Sequence, residues 1–194
     1  MTEFDSFNPE ALAARKNNFN GYQYCPRCGD RLRDARLDGR VRLVCDTTSC
    51  DFVYYHNPVP AAGVIVYRED QGILLVKRAH PPCINWWCLP AGYMEWDESP
   101  ARTAVRETFE ETGFEVEILG LFDLYSGDDD PRTNAVLALY EARVIGGELA
   151  PGDDALEAAF FPLNKLPDRI AFVAHRQALR EFAERLQAGD VMSG

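Results

Sequence analysis

The alternation of apolar and polar residues changes character twice along this chain, near Tyr22 and again after Pro60. Residues 1–22 are polar without a period, which reads as an extension outside any packed element. Residues 23–57 hold few aliphatics and are broken by turn residues at Pro26, Gly29 and Gly39. The stretch "HNPVP" then reads as an extended connector, because proline keeps the residue before it out of the helical region. From residue 58 to 194 the pattern becomes that of a packed domain. "AAGVIVYRE" and "GILLVKRA" predict two strands joined by a turn at Asp70-Gln71-Gly72. "NWWCLPAG" predicts a short strand that breaks at Pro90. "SPARTAVRETFEET" has helical spacing, with Ser99 as N-cap, Pro100 at the first helical position and Gly113 as the stop. On that helix Ala101, Ala104, Val105, Thr108 and Phe109 share an arc expected to pack on a sheet. "FEVEILGLFDLY", "NAVLALYEARV" and "AAFFPL" predict further strands. "IAFVAHRQALREFAERLQA" predicts a closing helix with Phe172, Leu179, Phe182 and Leu186 in one stripe. Strands interleaved with two helices give an α/β protein with a mixed sheet flanked by helices.

Composition narrows the function classes. The 194 residues, 46% of them hydrophobic, supply a core for one ordinary domain and a small appendage. A net charge of −11 argues against a general nucleic-acid or anionic-membrane binder. It leaves room for a small phosphorylated substrate, because bound metal reverses the local sign. "MTEFDSFNPE" lacks the basic start and apolar run of a secretory signal, and no apolar stretch approaches the ~18 residues that span a bilayer. The expectation is a soluble, cytoplasmic protein.

Four of the six cysteines fall within residues 23–57. Cys25 and Cys28 form a CxxC knuckle, and Cys45 and Cys50 follow as a wider CxxxxC pair. In a reducing compartment such pairs bind metal more often than they form disulfides. A short segment with little apolar surface gains from a structural Zn²⁺ held by four thiolates. A ribbon that has lost its metal and a redox-active pair are the alternatives. The wide second pair weakens the turn argument for Cys50. A closed four-thiolate site leaves no position for water and carries no catalysis. Cys83 and Cys88 stand apart and read as packing residues.

The densest chemistry lies in "GYMEWDESPARTAVRETFEETGF". On the predicted helix Glu107, Glu110 and Glu111 occupy i, i+3 and i+4, so three carboxylates fall on one narrow arc. They repel one another unless a cation relieves them, and oxygen-only ligands suit a hard ion such as Mg²⁺ or Mn²⁺. An ordinary solvated face is the competing reading. Arg102 and Arg106 lie beside the acids, and Arg106 is placed to orient Glu107 or to reach back to Glu98.

Gly92, Glu98 and the run Arg106-Glu107-Thr108-Phe109-Glu110-Glu111-Thr112-Gly113-Phe114 resemble the signature of the Nudix hydrolases, GX5EX7REUXEEXGU. Every fixed position matches. Thr108 and Phe114 stand at aliphatic positions, and both suit core contact, since a threonine can return its hydroxyl to the carbonyl four residues back. The resemblance implies an α/β/α sandwich over about residues 58–188, preceded by a small β zinc ribbon. It implies hydrolysis of a nucleoside diphosphate linked to another moiety. By motif position Glu107, Glu110 and Glu111 bind metal, Glu98 supports the site through arginine, and the Gly92 carbonyl is a further candidate ligand. The alternative role for Gly92 is to let the chain turn sharply into the loop. Glu110 and Glu111 are candidate general bases, and so is Glu157 in "PGDDALEAAFF", where surface solvation competes.

The four-cysteine segment before "NPVPAAGVIV", with "LPAGYMEWDES" after it, is similar to Nudix enzymes with an N-terminal ribbon. The SQPWPFP motif of NADH pyrophosphatases is absent, and the closer resemblance is to enzymes acting on ADP-ribose and FAD, which release AMP. NADH or dinucleotide hydrolysis, and a non-catalytic nucleotide sensor, are the competing readings. Arg78 is a candidate phosphate contact. Tyr93, with Trp86, Trp87 and Tyr125, is a candidate base platform, although each also suits a core. Asp128-Asp129-Asp130 reads as a solvated loop with Arg132 as local partner. Relatives often form homodimers.

Overall fold

In the computed structural model, which describes residues 22–130, 133–152 and 154–190, the chain divides into two units after Asn57. The expected N-terminal extension up to residue 21, and Arg132, lie outside the described residues.

An Asp-Gly pair sets the first unit. Asp38 and Gly39 both have positive φ, 49° and 78°, and join β1 (Leu32–Leu37) to β2 (Arg40–Cys45) with Leu37 opposite Arg40. Two left-handed residues match the twist of antiparallel strands, which is why such pairs favour tight hairpins. β3 (Val53–Tyr54) adds to β2 and completes a three-stranded antiparallel sheet.

The second unit is a seven-stranded mixed sheet with a helix on each face. Its main path runs β10–β5–β4–β9–β8, with β6 paired to β5 and β7 to β4. The strands are β4 (Val59–Arg68), β5 (Gly72–Arg78), β6 (Trp87–Cys88), β7 (Ala91–Tyr93), β8 (Phe114–Gly127), β9 (Ala135–Gly147) and β10 (Ala155–Phe161). The helices are α1 (Pro100–Thr112) and α2 (Val173–Ala188). β4 and β9 are parallel, and the remaining pairs are antiparallel.

β4 shows why the sequence reads as a continuous apolar run. Ala62, Val64 and Val66 face one layer with Ala104 of α1, while Ala61 and Ile65 face the other with Ala178, Leu179 and Phe182 of α2. A strand covered on both sides loses the polar half of its alternation. The outcome is the expected α/β/α sandwich.

α1 begins and ends as its sequence predicts. The Ser99 side chain accepts from the Arg102 N–H, Pro100 opens the helix, and Gly113 closes it at φ 75°. The left-handed closing residue suits glycine because a Cβ is strained there. Thr108 donates to the Ala104 carbonyl at 2.7 Å and Thr112 donates to Thr108 at 2.6 Å, so buried hydroxyls on the sheet side are satisfied. Phe109 departs from its expected place on the packed arc and is 53% exposed, because Thr103, Ala104, Thr108 and Thr112 fill that face. Phe172 also departs from the expected stripe: it precedes α2 at φ 62°, while Leu179 and Phe182 are buried as expected.

Candidate active site and a four-cysteine cluster

The Sγ atoms of Cys25, Cys28, Cys45 and Cys50 all lie within 4.8 Å of one another. Cys25 and Cys50 are 3.8 Å apart and Cys28 and Cys45 3.4 Å. Tetrahedral thiolates on Zn²⁺ sit ~3.8 Å from each other, given a Zn–S bond of about 2.3 Å, so the donor set fits that ion. The wide second pair closes because the Cys50 N–H donates to the Thr47 carbonyl at 3.0 Å. That turn absorbs the two extra residues and returns Cys50 to the cluster. Cys88, by contrast, is buried on β6, and burial raises its thiol pKa to about 12. Cys83, like Trp86 and Phe172, packs against the buried cluster of Val76, Cys88, Ala155, Ala158 and Ala171.

The acidic helix is organised by Arg106. Its Nε donates to Glu98 Oε1 at 2.8 Å and Nη2 to Glu98 Oε2 at 2.9 Å, a bidentate pair. Nη1 donates to Glu107 at 2.7 Å and to Glu110 at 2.9 Å, and Nη2 also reaches the Tyr93 carbonyl at 3.1 Å. A guanidinium has five N–H donors, and these contacts use them all. The Arg106 guanidinium, with the Thr103 hydroxyl, holds the Glu98 carboxyl at a pKa of about 2.

One cation facing Glu98, Glu107 and Glu110 leaves negative charge uncompensated, and burial sharpens it. Glu111 is 8% exposed, and its Oε2 accepts the Ala91 N–H of β7 at 3.0 Å. Burial raises its pKa to about 8, with the Glu107 charge adding to the shift. Burial also raises the pKa of Glu107, against the pull of Arg106. Gly92 lies on β7 at a φ outside the left-handed region, so no sharp turn explains it. Instead, a Cβ there would stand 2.2 Å from Glu107 Cδ. The glycine allows the carboxylate to lie against the backbone.

Glu107, Glu111 and Gly92 line one cleft of about 390 Å³, together with Arg78 and Tyr93. Glu110 is not part of that lining: its side chain is 55% exposed beside Arg106. The three glutamates therefore do not converge as tightly as their helical spacing suggests. Among the described residues the four cysteines Cys25, Cys28, Cys45 and Cys50 are the only group of three or more metal-ligating side chains within 4.8 Å. Oxygen donors, partial burial and excess negative charge still suit a hard divalent cation at Glu107 and Glu111, with Glu110 able to join by leaving Arg106. Arg78, ending β5, is braced by its Nε donating to the Pro82 carbonyl at 2.9 Å and lies over the Phe172 ring at 4.9 Å. Tyr93 is 42% exposed at the rim, whereas Trp87 and Tyr125 are core residues.

Glu157 is placed elsewhere. A register shift between Ala155 and Glu157 puts it opposite Lys77, with which it pairs at 3.4 Å. Neighbouring strand residues point to opposite faces, so Lys77 and Glu157 lie on the side away from Arg78. Asp154, three residues earlier, does line the cleft, with His80 at 3.2 Å. Sequence reasoning missed Asp154, His80, Asp129 and His175, all in the lining. The acid run around Asp154 was the available signal; nothing in the pattern marked His175, whose neighbours read as core.

A family model described as the NUDIX domain matches residues 57–184. The ADP-ribose pyrophosphatase of Methanocaldococcus jannaschii is 40% identical over 131 residues, covering 67% of this chain and 75% of that protein. The putative mutator protein MutT4 of Mycobacterium tuberculosis is 36% identical over 151 residues, covering 76% of this chain and 58% of its own length. Among solved structures, a NUDIX hydrolase from Nitrosomonas europaea superposes with a TM-score of 0.76 at 31% identity, covering 89% of this chain and 96% of that one. With the complete signature on α1 and its approach, these matches settle the lineage: this chain belongs to the Nudix hydrolase family.

Proposed function

We propose that the chain hydrolyses the phosphoanhydride of a nucleoside diphosphate linked to a second moiety, ADP-ribose first and FAD next, releasing AMP. The observation that carries this reading is the pairing, in one cleft, of the buried carboxylate Glu111 and the half-buried Glu107 with the braced cation Arg78. The ADP-ribose pyrophosphatase relative adds support for the substrate.

Nudix enzymes generally use divalent metals such as Mg²⁺, and Glu107, Glu111 and Glu110 would hold such an ion here. When bound, it supplies charge neutralisation for the phosphates and a lowered pKa for water. Arg78 offers a fixed cation to a phosphate oxygen, its position set by Pro82 and Phe172. Arg106 keeps Glu107 and Glu98 in register. A general base must reach the attacking water from within the cleft. Glu111 and Asp154 meet that condition in this conformation; Glu110 meets it after leaving Arg106, and Glu157, paired with Lys77 on the other face of β10, meets it only through a change of strand register. The four thiolates form a structural Zn²⁺ site with no catalytic part. Among the described residues no helix is long and apolar enough to cross a membrane.

The test is a substrate panel. Purified protein with Mg²⁺ is incubated with ADP-ribose, FAD, NADH, dinucleoside polyphosphates and 8-oxo-dGTP, and AMP release is followed. Fastest turnover of ADP-ribose supports the reading. Tight nucleotide binding with no turnover of any compound overturns it in favour of a sensor.

A further inference from the structure

His175 lies on the first turn of α2, is 6% exposed and lines the cleft. Its Nδ1 accepts the Leu89 N–H at 3.2 Å, which leaves the ring proton on Nε2. Burial, with Arg78 and Arg176 nearby, holds the imidazole neutral, at a pKa of about 3. Among the described residues the buried side-chain polar atoms without a partner are Arg42 Nε and Asp129 Oδ1. His175 Nε2 makes no hydrogen bond to another described residue, and the ring lines the cleft.

Asp129 lines the same cleft. Its Oδ2 accepts the Val173 N–H at 2.8 Å, two residues before His175, and its Oδ1 is buried with no donor. Buried polar atoms are satisfied as a rule, and an orphan beside a cleft points to a missing ligand atom. The cleft therefore carries, at the start of α2, an acceptor that cannot donate and a donor that cannot accept. A hydroxyl group does both.

We propose that Asp129 and His175 form a subsite for a sugar hydroxyl of the substrate, the hydroxyl donating to Asp129 Oδ1 and accepting from His175 Nε2–H. The proposal rests on the nucleotide-hydrolase reading and adds the recognition of a ribose to it. Both riboses of ADP-ribose present this chemistry.

The experiment compares kcat and KM for ADP-ribose, for its analogue deoxygenated on the terminal ribose and for its analogue deoxygenated on the adenosine ribose. It uses wild type, Asp129→Asn and His175→Asn. Asn at 129 keeps an acceptor for Val173 but turns the other atom into a donor. Asn at 175 keeps an acceptor for Leu89 but lacks the outer N–H. Wild type is expected to lose about tenfold in kcat/KM on one analogue, mostly through KM, and the affected analogue identifies the ribose. Each variant is expected to lose about tenfold on ADP-ribose and to discriminate less than about twofold between it and that analogue. A merely structural role would lower all three compounds together. Wild type that treats both analogues like ADP-ribose overturns the subsite, as do folded variants that keep the discrimination. If wild type releases no AMP from ADP-ribose, the proposed function falls, and calorimetric binding of the same three compounds decides the subsite by the same criteria.

Discussion

The Glu107 carboxylate lies where a β-carbon on Gly92 would be, with only 2.2 Å between that position and Glu107 Cδ. The strand and the helix approach each other this closely because Gly92 presents no side chain and Arg106 draws Glu107 inward. Gly92→Ala is expected to push the carboxylate out of the cleft and to lower kcat/KM by about 100-fold, as displacements near 1 Å do. The backbone at this position tolerates alanine, so the melting temperature should fall little. Steady-state kinetics and a thermal melt on one preparation check both halves.

Asp154 and Glu157 separate cleanly by mutation. Asp154 lines the cleft, and Glu157 pairs with Lys77 on the other side of the strand. Asp154→Asn should lower kcat by about 10–100-fold, while Glu157→Gln should stay within about threefold of wild type. The reverse order would show that β10 takes another register during turnover and that Glu157 then serves the site.

Cys50 tests the first unit. All four Sγ atoms converge, so Cys50→Ser should lower zinc content as far as Cys28→Ser does. Wild type is expected to carry about one equivalent of zinc after mild purification. Elemental analysis of the three proteins reads the result, and a Cys50→Ser protein that retains a full equivalent would remove Cys50 from the ligand set.

His175 makes acid stability a readout of burial. A histidine of pKa 6.5 when unfolded and about 3 when folded takes up a proton in the unfolded chain first. Stability from this group is complete above pH 6.5 and is lost as pH falls towards 3. Between about pH 7 and about pH 4.5, wild type should lose about 2–3 kcal/mol more than His175→Asn does. Denaturant unfolding at the two pH values measures that difference. Equal losses would mean that the imidazole is hydrated and titrates freely.

The sequence exposed most of the fold because local rules and tertiary packing agree in it. Ser99, Pro100 and Gly113 bracket α1 in the chain as they do in space. The double-sided apolar run of β4 signals a covered strand before any layer is known. The signature also placed Glu107, Glu111 and Gly92 in one cleft, though it concealed why the glycine is there. That reason is a contact between β7 and α1 and has no local trace. Glu157 shows the same limit differently: one register shift in β10 decides which face it takes. Asp129 and His175 come together only because a loop after β8 caps α2. Phe109 read as core by spacing, and three threonines with internally satisfied hydroxyls hold that face in its place.

The measurement closest to the central claim is AMP release from ADP-ribose across a Mg²⁺ titration, for wild type and Glu111→Gln side by side. Glu111 is the most buried of the three helix carboxylates, and glutamine keeps its shape and its acceptor for Ala91. Wild-type turnover should rise from near zero with added Mg²⁺, and the variant should remain lower by at least about 100-fold at saturation, with an unchanged melt. Wild-type rates that ignore Mg²⁺ and chelator, or a folded variant that turns over like wild type, would contradict the account.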